Sequence, residues 1–214
     1  MNNFAIIGAG KFGTALAKAL GSMGKSVILI DRDKNVLEPL DSYVEKIYCC
    51  DAKNVEVLNS LGVADCDVVI VAAASNVEDS AMVTMALKEL GVKEIISKAK
   101  SATHAKLLKQ IGADKVVFPE EDMGIRMAKL LSMNKVHDYI ELSGNAAVVE
   151  IKCPEKWAGK SLAELNVRVK FNVNVIAIIN GDNAQVNVDP KQPLDKDCIL
   201  AIVGDDVHIE KIID

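Results

Sequence analysis

Residues 4–13 read Phe-Ala-Ile-Ile-Gly-Ala-Gly-Lys-Phe-Gly. A short apolar run enters a G-x-G-x-x-G pattern, and a segment with helical spacing (Phe12, Leu16, Ala19, Leu20, Met23) leaves it. In that context the three glycines have separate physical tasks. Gly8 permits a tight turn, Gly10 lets backbone approach a pyrophosphate, and Gly13 lets the helix pack closely on the strand. The helix start then offers N–H groups to an anion. A second apolar run, Val27–Ile30, ends at Asp31, 18 residues after Gly13. A carboxylate there accepts hydrogen bonds from a ribose diol and repels a 2′-phosphate, so NAD is favoured over NADP.

Working outward, strand-like runs recur at Ile47–Cys50, Val68–Val71, Glu94–Ser97 and Val116–Phe118. Helical segments over Val55–Leu61, Val77–Leu90 and Thr103–Ile111 separate them, with Gly62, Gly91 and Gly112 at the positions where a left-handed cap ends a helix. Six strands alternating with helices predict an α/β fold, a Rossmann-like doubly wound parallel sheet. Pro119 stops the sixth strand, and a further helix over residues 120–131 begins with acids that suit its dipole. From Val136 the pattern changes to a small α+β domain. Its expected strands are Tyr139–Leu142, Ala146–Lys152, Val173–Ile179, Val186–Val188 and Cys198–Val203. A short helix is expected at Ser161–Leu165, a hairpin turn at Asn180–Asn183 and a last helix at Asp206–Ile213. The expected domains are 1–135, with the nucleotide loop and the 120–131 helix, and 136–214.

Composition narrows the function. Half of the 214 residues are hydrophobic and only 4% aromatic, which suits Val/Ile/Leu/Ala strands under helices and argues against disorder. No apolar run approaches the roughly 20 residues of a membrane-spanning helix, and no signal peptide is visible. Residues 1–135 carry 17 charges of each sign, whereas 136–214 carry 8 basic and 13 acidic residues. That balance argues against nucleic-acid binding. Five scattered cysteines without a C-x-x-C pair read as small apolar residues of a reducing compartment. Gly24-Lys25-Ser26 and Gly159-Lys160-Ser161 lack the first glycine of a phosphate-cleaving P-loop, since Ala19 and Pro154 stand in its place.

A nucleotide fold suggests a dehydrogenase, yet the catalytic set is missing. His104, His137 and His208 do not follow strands of the sheet and read as surface or capping residues, and no tyrosine precedes a lysine by four positions. A sensor, in which ligand binding shifts a conformational equilibrium, is the better reading. A small NAD-dependent oxidoreductase and a stand-alone nucleotide or cyclic di-AMP sensor are the alternatives.

Further motifs carry a family resemblance. They are Asp51-Ala52, Ala73-Ala74-Ser75-Asn76, Lys98-Ala99, Ile111-Gly112-Ala113-Asp114 and Phe118-Pro119-Glu120-Glu121-Asp122-Met123-Gly124, with Leu165-Asn166-Val167-Arg168 and Ile202-Val203-Gly204 nearer the C-terminus. Together with the glycine loop, they make the chain resemble the RCK (regulator of potassium conductance) subunits of bacterial Trk/Ktr potassium uptake systems. The resemblance implies a non-enzymatic gating subunit that binds ATP/ADP or NAD(H). Its partner would be a membrane-embedded potassium-translocating subunit, so the chain would be cytoplasmic and peripheral on the cytosolic face of the membrane. Dimers would assemble into a tetrameric or octameric ring.

The resemblance also assigns roles. Gly8, Gly10 and Gly13 would hold the phosphates, Asp31 the ribose, and Asp51 and Ala52 would border the adenine. Asn76 and Lys98 would lie near the phosphates, and Phe12, Arg32 and Ala73 would be further cofactor-binding residues. Lys11 stands where the Ktr branch often has an arginine that reaches a neighbour's γ-phosphate. Lysine keeps that charge and loses the bidentate fork. Glu120 matches an interface acid that can bind Mg²⁺ or Ca²⁺, and it equally suits a first-turn acid meeting the helix dipole. Arg168 would contact the phosphates of cyclic di-AMP or lie free on the surface. Met123, Met127, Ala128, Leu130 and Leu131 would form a dimer seam.

Overall fold

The computed structural model describes residues 2–73, 76–133 and 135–213. Two residues of the Ala73–Asn76 motif, Ala74 and Ser75, therefore lie outside the described residues. Two compact units divide the chain, one ending at Glu120 and the other beginning at Glu121.

In the first unit the strands are β1 (Asn3–Ile7), β2 (Ser26–Asp31), β3 (Lys46–Cys49), β4 (Val68–Val71), β5 (Ile95–Lys98) and β6 (Lys115–Val117). The helices are α1 (Lys11–Ser22), α2 (Lys34–Leu37), α3 (Val55–Ser60), α4 (Val77–Glu89) and α5 (Ala102–Gln110). All strands pair in parallel in the order β3-β2-β1-β4-β5-β6. Successive side chains of a strand point to opposite faces, and the core follows that rule. Ala5, Ile7, Val69 and Val71 pack with Leu58, Val83 and Leu87 on one face. Ile6, Leu29 and Ile70 pack with Ala17, Leu37 and Leu40 on the other. This is the expected doubly wound sheet. The strand order reverses between β1 and β4, so the loops after those strands diverge and open a crevice.

The helix α6 (Pro119–Ser132) has no buried residue, and Met123, Ile125, Met127 and Leu131 are exposed, the last at 79%. In the second unit β7 (Val136–Ser143), β8 (Ala146–Lys152), β9 (Asn174–Asn180), β10 (Asn183–Gln185) and β11 (Ile199–Asp205) form an antiparallel sheet in the order β10-β9-β11-β8-β7. Its core gathers Val149, Ile151, Trp157, Leu200, Ile202, Ile209 and Ile212. The short helices α7 (Leu162–Leu165) and α8 (Val167–Phe171) and the last helix α9 (Asp206–Ile213) complete it. Ser161 starts α7 with a reciprocal cap to Glu164.

The expected strand Val186–Val188 is not formed. Asn183 pairs with Asn180 across a two-residue turn, so β10 starts at once and ends at Gln185. The Gln185 amide donates to the Asn187 carbonyl at 3.2 Å and to Gln192 at 3.1 Å, which turns the chain away from the sheet. Val–Asn–Val alternation thus lost to local side-chain bonding. Among the described residues, no helix is long and apolar enough to cross a membrane.

Candidate functional site

The glycine loop is fixed by backbone geometry. Gly8 has φ +105°, which only glycine adopts without strain, and a Cβ there would strike the Ala73 backbone. A Cβ on Gly13 would strike the Gly8 carbonyl oxygen, so α1 sits directly on the turn. At Gly10, by contrast, a Cβ would meet nothing within 4 Å. The side of the loop that faces outward is open at that one residue. Gly10 also caps α1 without a side-chain hydrogen bond, and the first-turn N–H groups of a helix have no intrahelical acceptor. Backbone N–H groups in that position are suited to hold an anion.

Asp31 closes the loop from β2. Its carboxylate accepts the Ala9 N–H at 2.6 Å and the Asp33 N–H at 3.0 Å. Each carboxylate oxygen has a second lone pair, so acceptor capacity remains for hydroxyl donors. Beside it lies a cleft of about 260 Å³ lined by Gly8, Gly10, Asp31, Arg32, Asp51, Ala52 and Ala73, all seven expected from the sequence. Ile7, Ile30, Ala72 and Val83 supply apolar wall.

The cleft also holds two residues that the sequence reading missed, Lys53 and Asp79. The Lys53 Nζ lies 3.1 Å from Asp79 and 3.7 Å from Asp51, and the Arg32 guanidinium lies 3.8 Å from Asp79. The hydrogen bond to Asp79, then the Asp51 charge, pushes the Lys53 pKa up, and the same bond pulls the Asp79 pKa down. Asn76 orients Asp79. It caps α4 by accepting the Asp79 N–H at 2.6 Å, and its amide donates to the Asp79 carboxylate at 3.1 Å.

Lys11, Phe12, Gly13, Asn76 and Lys98 do not line this cleft. Lys11 is exposed at the start of α1. Lys98 forms an ion pair with Glu120 and stands 5.9 Å from the centre of the Phe12 ring. That pair holds the Glu120 carboxyl below its usual range. Among the described residues, no three His, Cys, Asp or Glu side chains converge as metal ligands.

His104 is buried, contrary to the surface or capping position expected for it, and is 2% exposed. The Lys100 N–H donates to its Nδ1 at 3.3 Å, so Nε2 carries the proton and donates to Ser80 Oγ at 2.9 Å. Ser80, Thr84 and Ser97 continue the buried polar chain. Burial, then the Lys100 charge, lowers the His104 pKa. No histidine or tyrosine is among the residues lining the cleft. Cys66, Cys153 and Cys198 are buried as expected, whereas Cys49 is exposed and Cys50 borders the cleft. In the second unit, Arg168 borders a separate cleft of about 440 Å³ with Asn166, Val167, Val175 and Pro190.

Residues 4–119 match the TrkA-N domain and residues 147–214 the TrkA-C domain. The chain is 36% identical over 208 residues to Ktr system potassium uptake protein C of Bacillus subtilis, and 34% identical over 208 residues to protein A of the same system. Each match covers 97% of this chain and 94% of the relative. The solved GsuK channel bound to NAD superposes with a TM-score of 0.67 at 20% identity. That match covers all of this chain and 39% of the channel chain, and at that identity the likeness is one of fold.

Proposed function

The chain belongs to the family of potassium uptake proteins built from a TrkA-N and a TrkA-C domain, and from that premise we propose that it is the nucleotide-sensing regulatory subunit of a potassium transporter. One observation carries the reading: a backbone anion cradle at Gly10 opens beside a carboxylate, Asp31, at the point where the strand order reverses. The ligand is an adenosine nucleotide, ATP/ADP or NAD(H). The N–H groups around Gly10 hold its phosphates, Asp31 accepts from the ribose, and Asp51 and Ala52 border the base. Lys11 and Lys98 lie outside the cleft and act on the phosphate end or on a neighbouring copy.

Regulation rather than catalysis fits the likeness to Ktr potassium uptake proteins. The exposed apolar residues of α6 are the seam between two copies, and dimers close into a ring beneath a membrane-embedded potassium-translocating partner. This places the chain on the cytosolic side. Differential contacts of nucleotide with two ring shapes supply the switch. Glu120 takes a divalent cation only if a second copy contributes donors. The cleft beside Arg168 is the place for cyclic di-AMP.

The reading is tested by titrating ATP, ADP, NAD and NADH into the purified protein, with its mass measured by light scattering. Binding by an oligomer that co-purifies with a multi-span potassium transporter supports it. A monomer that oxidises NADH with a small carbonyl substrate overturns it.

A further inference from the structure

We infer that Asp79 sets the ligand selectivity of the cleft, by neutralising the cations that would otherwise clamp a phosphate on the ribose 2′-oxygen. The inference rests on the reading of this cleft as an adenosine nucleotide site.

Arg32 directly follows the ribose carboxylate Asp31, the region from which nucleotide folds draw an arginine to hold a 2′-phosphate. Lys53 enters the same cleft from the loop after β3. Neither cation is left to itself. Asp79, in the first turn of α4, lies 3.1 Å from the Lys53 ammonium and 3.8 Å from the Arg32 guanidinium, and its side chain is only 18% exposed. Asn76 holds Asp79 at two points, its carbonyl accepting the Asp79 backbone N–H and its amide donating to the carboxylate. Among the residues lining the cleft, Asp31, Asp51 and Asp79 outnumber Arg32 and Lys53. The lining carries one net negative charge, to which a 2′-phosphate would add about two more.

A ribose diol suits this arrangement, because hydroxyls donate to carboxylates. A 2′-phosphate meets carboxylate repulsion, and its two candidate clamps are already occupied. Asp31 alone would disfavour it. Asp79 adds a second level, which acts through the cations rather than through the sugar. The residue is positioned by the α4 cap, far along the chain from the glycine loop.

The test compares ADP with 2′-phospho-ADP, and NAD with NADP, by calorimetric titration of the full chain and of Asp79→Asn. Asn keeps the side-chain size and an acceptor for Asn76. The expected result is that the parent prefers each diol ligand, and that Asp79→Asn narrows the preference by about ten-fold through tighter binding of the 2′-phosphorylated partner. Adding Arg32→Ala and Lys53→Ala together should remove that gain. Asp79→Ser gives the same comparison if the Asn variant does not fold, and retained binding of ADP or NAD reports an intact cleft. An unchanged preference in a variant that still binds ADP or NAD overturns the role of Asp79 and leaves the nucleotide site standing. A gain that survives loss of both cations overturns the clamp. A parent protein that binds neither ADP nor NAD overturns the site itself.

Discussion

The Ala9 N–H donates to the Asp31 carboxylate over 2.6 Å, so the proposed ribose acceptor is also a strut of the glycine loop. Asp31→Ala should therefore do two things. It should weaken adenosine nucleotide binding by about 1.5–3 kcal/mol through loss of charged hydrogen bonds, and lower stability by about 1–2 kcal/mol through two lost backbone partners. Titration and thermal melting separate the effects. A lower melting point with unchanged affinity would assign Asp31 to the loop alone.

The glycines should divide into two classes. Gly13→Ala drives a Cβ into the Gly8 carbonyl and should cost about 2 kcal/mol or more, measured by chemical denaturation. At Gly10 a Cβ meets no protein atom within 4 Å, so Gly10→Val should melt close to the parent and yet fail to bind nucleotide. A Gly10→Val protein that binds normally would place the phosphates elsewhere.

The His104–Ser80 contact predicts a pH dependence. Burial lowers the His104 pKa, so the fold favours the neutral ring. A depressed histidine contributes stability that is complete above its ordinary value of 6.5 and is lost as pH falls through the lower folded value. Denaturation between pH 7.5 and pH 5 should show the parent losing stability, and His104→Gln losing distinctly less. Equal slopes would show that His104 does not titrate in that window.

Met127 on α6 tests the proposed seam. Met127→Glu introduces a charge on an exposed apolar surface and should shift the protein toward monomer in light scattering without lowering its melting point in the monomeric state. Unchanged mass would move the seam to another face.

The first unit was legible because its signals are local and backbone-driven. The glycine loop, the six apolar runs and the glycines after α3, α4 and α5 each reflect a steric rule that acts within a few residues. Lys53 and Asp79 escaped because their pairing joins the loop after β3 to the first turn of α4, which only the β3-β2-β1-β4 strand order brings together. His104 escaped because α5 is polar in sequence, and its burial depends on Ser80 from another helix. Val186–Val188 does not extend β10 because the Gln185 amide bonds Asn187 and Gln192 and the chain leaves the sheet there, a local competition that alternation does not reveal.

The central position of β1 also orders events during folding. Phe4 pairs with Val68, so the first strand must wait for β4 before its second edge is filled. Non-local parallel pairing is slow, whereas the β7–β8 hairpin forms from neighbours in sequence. On a growing chain the glycine turn cannot lock against Ala73 until that residue has emerged. The nucleotide cleft is thus a late product of folding, and acquisition of ligand affinity during refolding would serve as a clock for closure of the sheet.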